Sequence, residues 1–291
     1  MATVAQWIEG ARLRTWPNAI APVLVGTGAA VGIERFDPAR AVLSLVVALS
    51  LITGVNFAND YSDGIRGTDN ASRVGPFRLV GSGAATPGSV RTAAMVCFGV
   101  AALAGLGVVV LSGQWWLLAV GAVCIAAAWF YTGGTRPYGY AGLGEIAVFV
   151  FFGLIAVLGT LYVQAGTVTG PGIGGAVAIG SFSSSVLVAN NLRDIPTDRT
   201  AGKRTLAVLL GDHDTRTLYG ALVLVPFLIT ALLGLHETLA LLGFLALPLL
   251  IASLRAVLGG ARGRGLIPAL RDTGFAMLAW AIATGVAFAI G

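Results

Sequence analysis

Nine stretches of this chain are apolar enough and long enough to cross a bilayer, and they leave few other folds open to it. They lie at 17–33, 41–59, 90–111, 114–131, 144–163, 173–192, 217–235, 238–258 and 270–290. A run of about 18–22 apolar residues, wound as a helix, spans a hydrocarbon core of roughly 30 Å. A mean hydropathy of +0.86 with only 11% charged residues cannot coat a 291-residue globule with polar surface, so lipid has to cover much of it. Glycine at 41 positions suits helices whose backbones approach closely inside a membrane. The expected class is an all-α polytopic membrane protein with about nine transmembrane helices in one bundle. No linker or low-complexity segment divides it, so residues 1–291 are expected to form a single domain.

Charge placement orients the bundle. With nine spans, the side holding the N-terminus also holds the loops 60–89, 132–143, 193–216 and 259–269, and it carries 16 of the 18 basic residues. Only Arg35 and Arg40 fall on the other side. The positive-inside rule makes the first side cytoplasmic. The pI of about 9.7 is then a topology signal, and no nucleic-acid partner is expected. The opening MATVAQWIEGARLRTW has no apolar core before a small-residue cleavage site, so no cleavable signal is expected. Cys97 and Cys124 read as small buried hydrophobes, and His213 and His236 stand alone. Ten of the 13 acids lie on the cytoplasmic side, an excess that topology does not require.

Those acids cluster at two helix ends. LITGVNFANDYSDGIRGTD, residues 51–69, places Asn56, Asn59, Asp60, Asp63 and Asp69 where one apolar run stops. VLVANNLRDIPTDRTAGKRTL, residues 186–206, places Asn190, Asn191, Asp194 and Asp198 after another. Asn56, Asp60 and Asp63 share a helix face at about 100° per residue, as do Asn190 and Asp194. Pro196 is expected to end the second helix near Asp194, leaving Asp198 on an irregular turn. The two clusters lie four spans apart, an offset that preserves direction and so predicts a parallel repeat. Transporters built on inverted repeats bind at mid-span instead.

Carboxylates and amides gathered at a membrane edge repel one another unless a cation joins them. Oxygen donors without thiolate or imidazole favour Mg²⁺, which typically completes its shell with water and substrate phosphate. Asn56, Asp60, Asp63, Asn190, Asp194 and Asp198 are therefore the candidate metal ligands. Arg66, Arg73 and Arg78 beside the first cluster, and Arg193, Arg199, Lys203 and Arg204 beside the second, are candidates for phosphate oxygens. A lipid-tailed diphosphate would then lie with its tail among the helices and its head at the interface. Ionisation of its allylic carbon–oxygen bond would yield a cation that must be kept from water. Tyr131, and secondarily Phe57, are placed to face that cation with an aromatic ring. Asp212 and Asp214, in the hydrophilic stretch GDHDTR, read as solvated loop acids.

NFANDYSD and NNLRDIPTDRTAGKRTL resemble the two Asp-rich motifs of the UbiA-type intramembrane prenyltransferases, with Asn-x-x-x-Asp in each and a Gly-Lys-x-Thr-Leu tail on the second. RLRTWPNAIAPVLVGTG, RVGPFRLV and YTGGTRPYGYAGLGEIAVFVFFG resemble the branch that serves menaquinone biosynthesis, and the likeness runs through at least the first 210 residues. It implies a nine-helix α-protein of the plasma membrane with its active site toward the cytoplasm. It implies Mg²⁺, a polyprenyl diphosphate donor and an aromatic acid acceptor, here 1,4-dihydroxy-2-naphthoate, prenylated with loss of CO₂ and diphosphate. Asn56, Asp60, Asn190, Asp194 and Asp198 carry over as the metal and diphosphate residues. With the residues read from their placement, the candidate catalytic set is Asp60, Asp194, Asp198 and Tyr131, and Asn56, Asn190, Arg66, Arg73, Arg78, Arg136 and Lys203 are the candidates toward substrate. Many family members place the later acid of the first motif four positions after its Asp, where this chain has Gly64, so Asp63 departs from that pattern. Arg136 and Arg14 are candidates for the acceptor carboxylate. Other acceptors (4-hydroxybenzoate, homogentisate, haem) remain open, as do a cation-coupled transporter and a CDP-alcohol phosphotransferase, for whose signature DGIRGT is a poor match.

Overall fold

The computed structural model describes residues 2–67 and 77–291, and among these the regular structure is helical throughout. A short amphipathic helix, α1 (Val4–Ala11), opens the chain. It is followed by α2 (Pro17–Val31), α3 (Pro38–Ile65), α4 (Pro87–Ser112), α5 (Leu117–Phe130), α6 (Gly144–Ala165), α7 (Gly170–Thr200), α8 (Leu206–Gly234), α9 (Thr238–Leu258) and α10 (Gly263–Ile290). Local chemistry sets their starts. Proline occupies the first turn of α3, α4 and α7, where its missing N–H has no helical partner to lose, and the side chains of Asp37, Thr86 and Thr169 cap the same three helices.

Every apolar stretch expected from the sequence is a helix, but they are not equivalent. Seven are long and apolar enough to cross a membrane, which makes this a multi-pass membrane protein. The other two, α2 with 15 residues and α5 with 14, rise only about 21–23 Å at 1.5 Å per residue. The expected stretch 114–131 is shortened at its start, because Gly113 takes φ +70° and the chain turns before Leu117.

Two further expectations are corrected. The second acidic helix does not stop at Pro196: α7 continues to Thr200 and carries Asp198 in helical conformation. The hydroxyls of Thr197 and Thr200 donate to the carbonyls of Asp194 and Pro196, so side chains support the turn around the proline. Asp212 and Asp214 are not in a loop but in the first turns of α8, just after a break at Gly211 (φ 80°, ψ −179°). Asp212 holds Arg216 through two contacts of 2.6 and 2.9 Å, and Arg216 in turn donates to the carbonyls of Val257 and Ala261 at the end of α9. The Asp212 side chain is 46% exposed and Arg216 keeps its carbonyl partners without it. Asp212→Asn is expected to lower stability by about 1 kcal/mol at most and to leave turnover within about twofold; thermal unfolding in detergent and an activity assay check both.

Packing divides the bundle in two. The larger core joins α2, α6, α7, α8, α9 and α10 around Phe182, Tyr219 and Trp280. The smaller one joins α1, α3, α4 and α5 with Leu79 around Phe57 and Phe98. Close approach in the larger core needs glycine: a Cβ on Gly28 would lie 2.2 Å from the Gly285 carbonyl oxygen, so α2 and α10 touch backbone to backbone. Arg40, one of the two basic residues expected on the far side, is a staple. Its guanidinium donates to Leu111 O at 2.7 Å and Val163 O at 3.0 Å, capping the ends of α4 and α6. Between the two cores a cavity opens, walled by α3, α4, α5, α6 and α7.

Candidate functional site

The cavity has a volume of about 920 Å³ and changes character along its length. On α3 its wall runs from Val47 and Leu51 to Asn56, Asn59 and Asp63; on α7 it runs from Val186 and Leu187 to Asn190, Asp194 and Asp198. α4 and α5 contribute small apolar residues such as Ala101, Gly105 and Gly121, and α6 contributes Phe151, Phe152 and Ile155. Both acidic helix ends thus meet at one polar mouth, and behind it lies an apolar arm. No residue of α5 is buried, so this wall of the arm is thin and faces outward.

At the polar mouth the carboxylates already have cationic partners. Asp63 is 3.2 Å from Arg78 and 3.0 Å from Lys203, and the Tyr140 hydroxyl donates to it as well. Burial first, and the Asp63 carboxylate second, raise the Tyr140 pKa above its ordinary value, so this phenol stays protonated and donates. The Lys203 ammonium also sits 4.4 Å from the centre of the Tyr140 ring. Asp194 accepts from Arg193 at 2.6 and 2.7 Å, and Arg193 also reaches Asn190 Oδ1 at 2.9 Å. Loop 201–205 brings Lys203 across from the far motif to Asp63, 140 positions away in the chain. That one contact ties the two acidic regions together.

The helical repeat explains which acids face the cavity. Relative to Asn56, Asp63 lies about 20° and Asn59 about 60° to one side, while Asp60 lies about 40° to the other. Asn56, Asn59 and Asp63 line the cavity and Asp60 does not. The fully buried Asp60 carboxylate accepts the backbone N–H groups of Leu79 and Val80 at 2.8 and 2.9 Å. It thereby fixes the strand of loop that presents Arg78. Asn56 donates through Nδ2 to Ala11 O and Thr15 Oγ1, and so seats the turn after α1 against α3.

The remaining expected residues divide. Arg78, Tyr131, Asn190, Asp194, Asp198 and Lys203 are on the wall. Arg66 is off it: its guanidinium donates to the carbonyls of Thr132 and Gly134 and lies over the Tyr140 ring, so it anchors the 132–134 turn. Arg136 is exposed and also off the wall. Phe57 is buried in the smaller core, edge-on to Trp7, and does not face the cavity. Arg73 lies outside the described residues. Of the two cysteines, both free and half-buried, Cys124 lines the apolar arm.

Asn59, Asn191 and Arg14, named in the sequence without a metal or phosphate role, are on the wall, and with them is Arg271, which had no marker beyond its type. Asn59 accepts from the Thr132 hydroxyl at 2.7 Å, Asn191 donates to Glu145, and Arg14 and Arg271 line the side nearest α2 and α10. Burial first, and the nearby Arg193 guanidinium second, lower the Arg14 pKa, so two cations face this mouth of the cavity close enough to oppose each other. The stretch TRPYGY was a signal for Tyr140, since its Gly and Pro shape a turn that can carry an aromatic ring to the site.

A family model described as the UbiA prenyltransferase family matches residues 19–264. A 1,4-dihydroxy-2-naphthoate octaprenyltransferase of Mycobacterium tuberculosis is 58% identical over 291 residues, covering 100% of this chain and 99% of its own length. The protein of the same name from Escherichia coli is 37% identical over 98% of this chain and 94% of its own. Among solved structures, a UbiA homolog from Archaeoglobus fulgidus bound to GPP and Mg²⁺ superposes with a TM-score of 0.69 at 14% identity, over 98% of this chain and 99% of that one. Its likeness is one of fold. The family match over most of the chain, with full-length relatives at well over 30% identity, means that this chain belongs to the UbiA prenyltransferase family.

Proposed function

We propose that this protein transfers a polyprenyl group from polyprenyl diphosphate to 1,4-dihydroxy-2-naphthoate, releasing diphosphate and CO₂ and leaving the demethylated menaquinone precursor. One observation carries the reading: the two acidic helix ends and their cations share a single cavity whose other arm is apolar. A diphosphate head fits the first part and a prenyl tail the second. The relatives at 58% and 37% identity bear the name of that acceptor.

The donor set fits magnesium. Asp63, Asp194 and Asp198 offer only oxygen, and Asn56 and Asn190 add amide oxygens beside them on the same wall. Magnesium typically takes one or two carboxylates and completes its shell with phosphate and water, which these acids and a bound diphosphate can supply. When bound, Mg²⁺ would neutralise charge on the departing diphosphate.

The chain's own groups do the rest. Arg78, Lys203 and Arg193 hold carboxylates at 2.6–3.2 Å and can transfer the same N–H donors to phosphate oxygens. Asp60 acts at one remove, by holding the backbone beside Arg78. As the allylic carbon–oxygen bond breaks, its electron pair leaves with diphosphate. The apolar arm keeps water from the allylic cation, and the Tyr131 ring faces it. The acceptor carbon bearing the carboxyl group supplies the electron pair of the new carbon–carbon bond. Loss of CO₂ returns a pair to the ring and restores aromaticity. Arg14, on the wall, is the better-placed partner for the acceptor carboxylate than the exposed Arg136. The 16-to-2 division of basic residues supports a cytoplasmic N-terminus and active site in the cell membrane.

Membranes containing the protein, supplied with labelled polyprenyl diphosphate and a panel of aromatic acids with and without Mg²⁺, test the reading. The expected result is a lipid-soluble product from 1,4-dihydroxy-2-naphthoate that disappears with chelation. Product from 4-hydroxybenzoate or homogentisate alone would replace the acceptor, and product undiminished by chelation would remove the metal.

A further inference from the structure

Glu145 is a buried acid that the mechanism above leaves without a task. It stands in the first turn of α6 with 5% of its surface exposed, behind the cavity wall. Its Oε1 accepts from Asn191 Nδ2 at 2.8 Å, and its Oε2 is covered and has no hydrogen-bond partner among the described residues. Burying a carboxyl group with one oxygen unpartnered is costly, and acids inside membrane bundles usually mark function. The backbone here is also fixed: the Ser184 hydroxyl on α7 donates to the Glu145 carbonyl at 3.0 Å, so α6 and α7 are registered at this level. The carboxylate is therefore held in place rather than drifting toward water.

Glu145 meets Asn191 with an acceptor, Oε1, so the Asn191 amide presents its NH₂ side to it, whereas a glutamine could turn either an oxygen or an NH₂ toward Asn191. Asn191 lines the cavity, and with one Nδ2 hydrogen engaged by Glu145 the amide keeps its oxygen, beside one further N–H, for other partners. That oxygen needs a donor. A diphosphate, a prenyl chain and a carboxylate have none to give, whereas the hydroxyls of a hydroxylated aromatic acceptor do.

We infer that Glu145 is a positioning residue that locks the Asn191 amide, so that its oxygen accepts a hydrogen bond from one hydroxyl of the aromatic acceptor. This rests on the proposed prenyl transfer to a dihydroxynaphthoate. A neutral amide oxygen orients the phenol and polarises its O–H bond, which raises the electron density of the ring carbon that attacks.

Glu145→Gln keeps the volume and puts in place of the carboxyl an amide that can present either oxygen or NH₂, so folding is preserved while the Asn191 amide becomes free to reverse. With 1,4-dihydroxy-2-naphthoate the expected result is a roughly tenfold rise in acceptor KM, the range carried by one hydrogen bond between neutral groups, with the KM for polyprenyl diphosphate unchanged. Asn191→Ala is expected to do the same. The decisive arm uses 1-hydroxy-2-naphthoate and 4-hydroxy-2-naphthoate as competitive inhibitors. Both variants should weaken the one that retains the contacted hydroxyl and leave the other unaffected. Equal weakening of both inhibitors, an effect confined to the diphosphate KM, or a shifted Mg²⁺ requirement would overturn the inference, the last by making the amide oxygen a metal ligand. A wild-type protein that makes no product from any naphthoate would instead overturn the functional reading itself, and this inference with it.

Discussion

Asp194→Asn is expected to cut prenyl transfer about 10³-fold while the protein still inserts and unfolds near the wild-type temperature. Removing one fixed electrostatic contributor to a transition state commonly costs 10²–10³ in kcat. Here the same atom change would also withdraw a metal ligand. The substitution keeps shape, and Arg193 retains Asn190 Oδ1 and the remaining carbonyl oxygen of residue 194 as acceptors, so no bare cation is left in the core. Single-turnover assays in detergent or nanodiscs, with thermal unfolding measured on the same preparation, separate the two effects. Turnover within tenfold of wild type would remove Asp194 from the metal and diphosphate assignment. Asp60→Asn provides the contrast. It forces an amide NH₂ toward a backbone N–H, because both Asp60 oxygens are acceptors for Leu79 and Val80. Its loss of activity should therefore come with a lowered unfolding temperature, which Asp194→Asn should not show.

Gly28→Val should be the most damaging substitution outside the cavity. The added Cβ would fall 2.2 Å from the Gly285 carbonyl oxygen and 2.7 Å from Gly285 Cα, and a backbone cannot swing aside as a side chain can. α2 would have to leave α10, opening the larger core. A cost of about 3 kcal/mol or more is expected, at the upper end for overpacking. Gly99→Ala is the control, since a Cβ there meets nothing within 4 Å. Thermal unfolding and yield of dispersed protein in detergent read the difference; equal behaviour of the two variants would mean that α2 and α10 are not in contact.

The overall class was legible because hydropathy is a sum over many residues, and local exceptions do not disturb it. The nine apolar runs all became helices, and the two oxygen-rich helix ends were visible as repeated Asn-x-x-x-Asp spacing. What misled was local propensity read without context. Pro196 has a strong tendency to end a helix, but two threonine hydroxyls and the packing of α7 carry the helix past it. GDHDTR is hydrophilic enough to look like a loop, yet Arg216 reaches from it to the end of α9 and makes it part of the bundle. Among the basic residues near the acids, composition could not separate Lys203, which reaches Asp63, from Arg66, which serves a turn.

By itself the chain's order of residues determined that it spans a membrane with many helices, that oxygen ligands gather at two helix ends, and which family it resembles. These follow from periodicity and residue type, which are properties of one segment at a time. Only tertiary structure decided that Asp63 faces the cavity while Asp60 turns to the backbone of residues 79 and 80, and that Glu145 meets Asn191 from 46 positions away. A helical repeat specifies angles about a helix's own axis, but the direction of the cavity is set by neighbouring helices, and so by contacts between segments far apart in the chain.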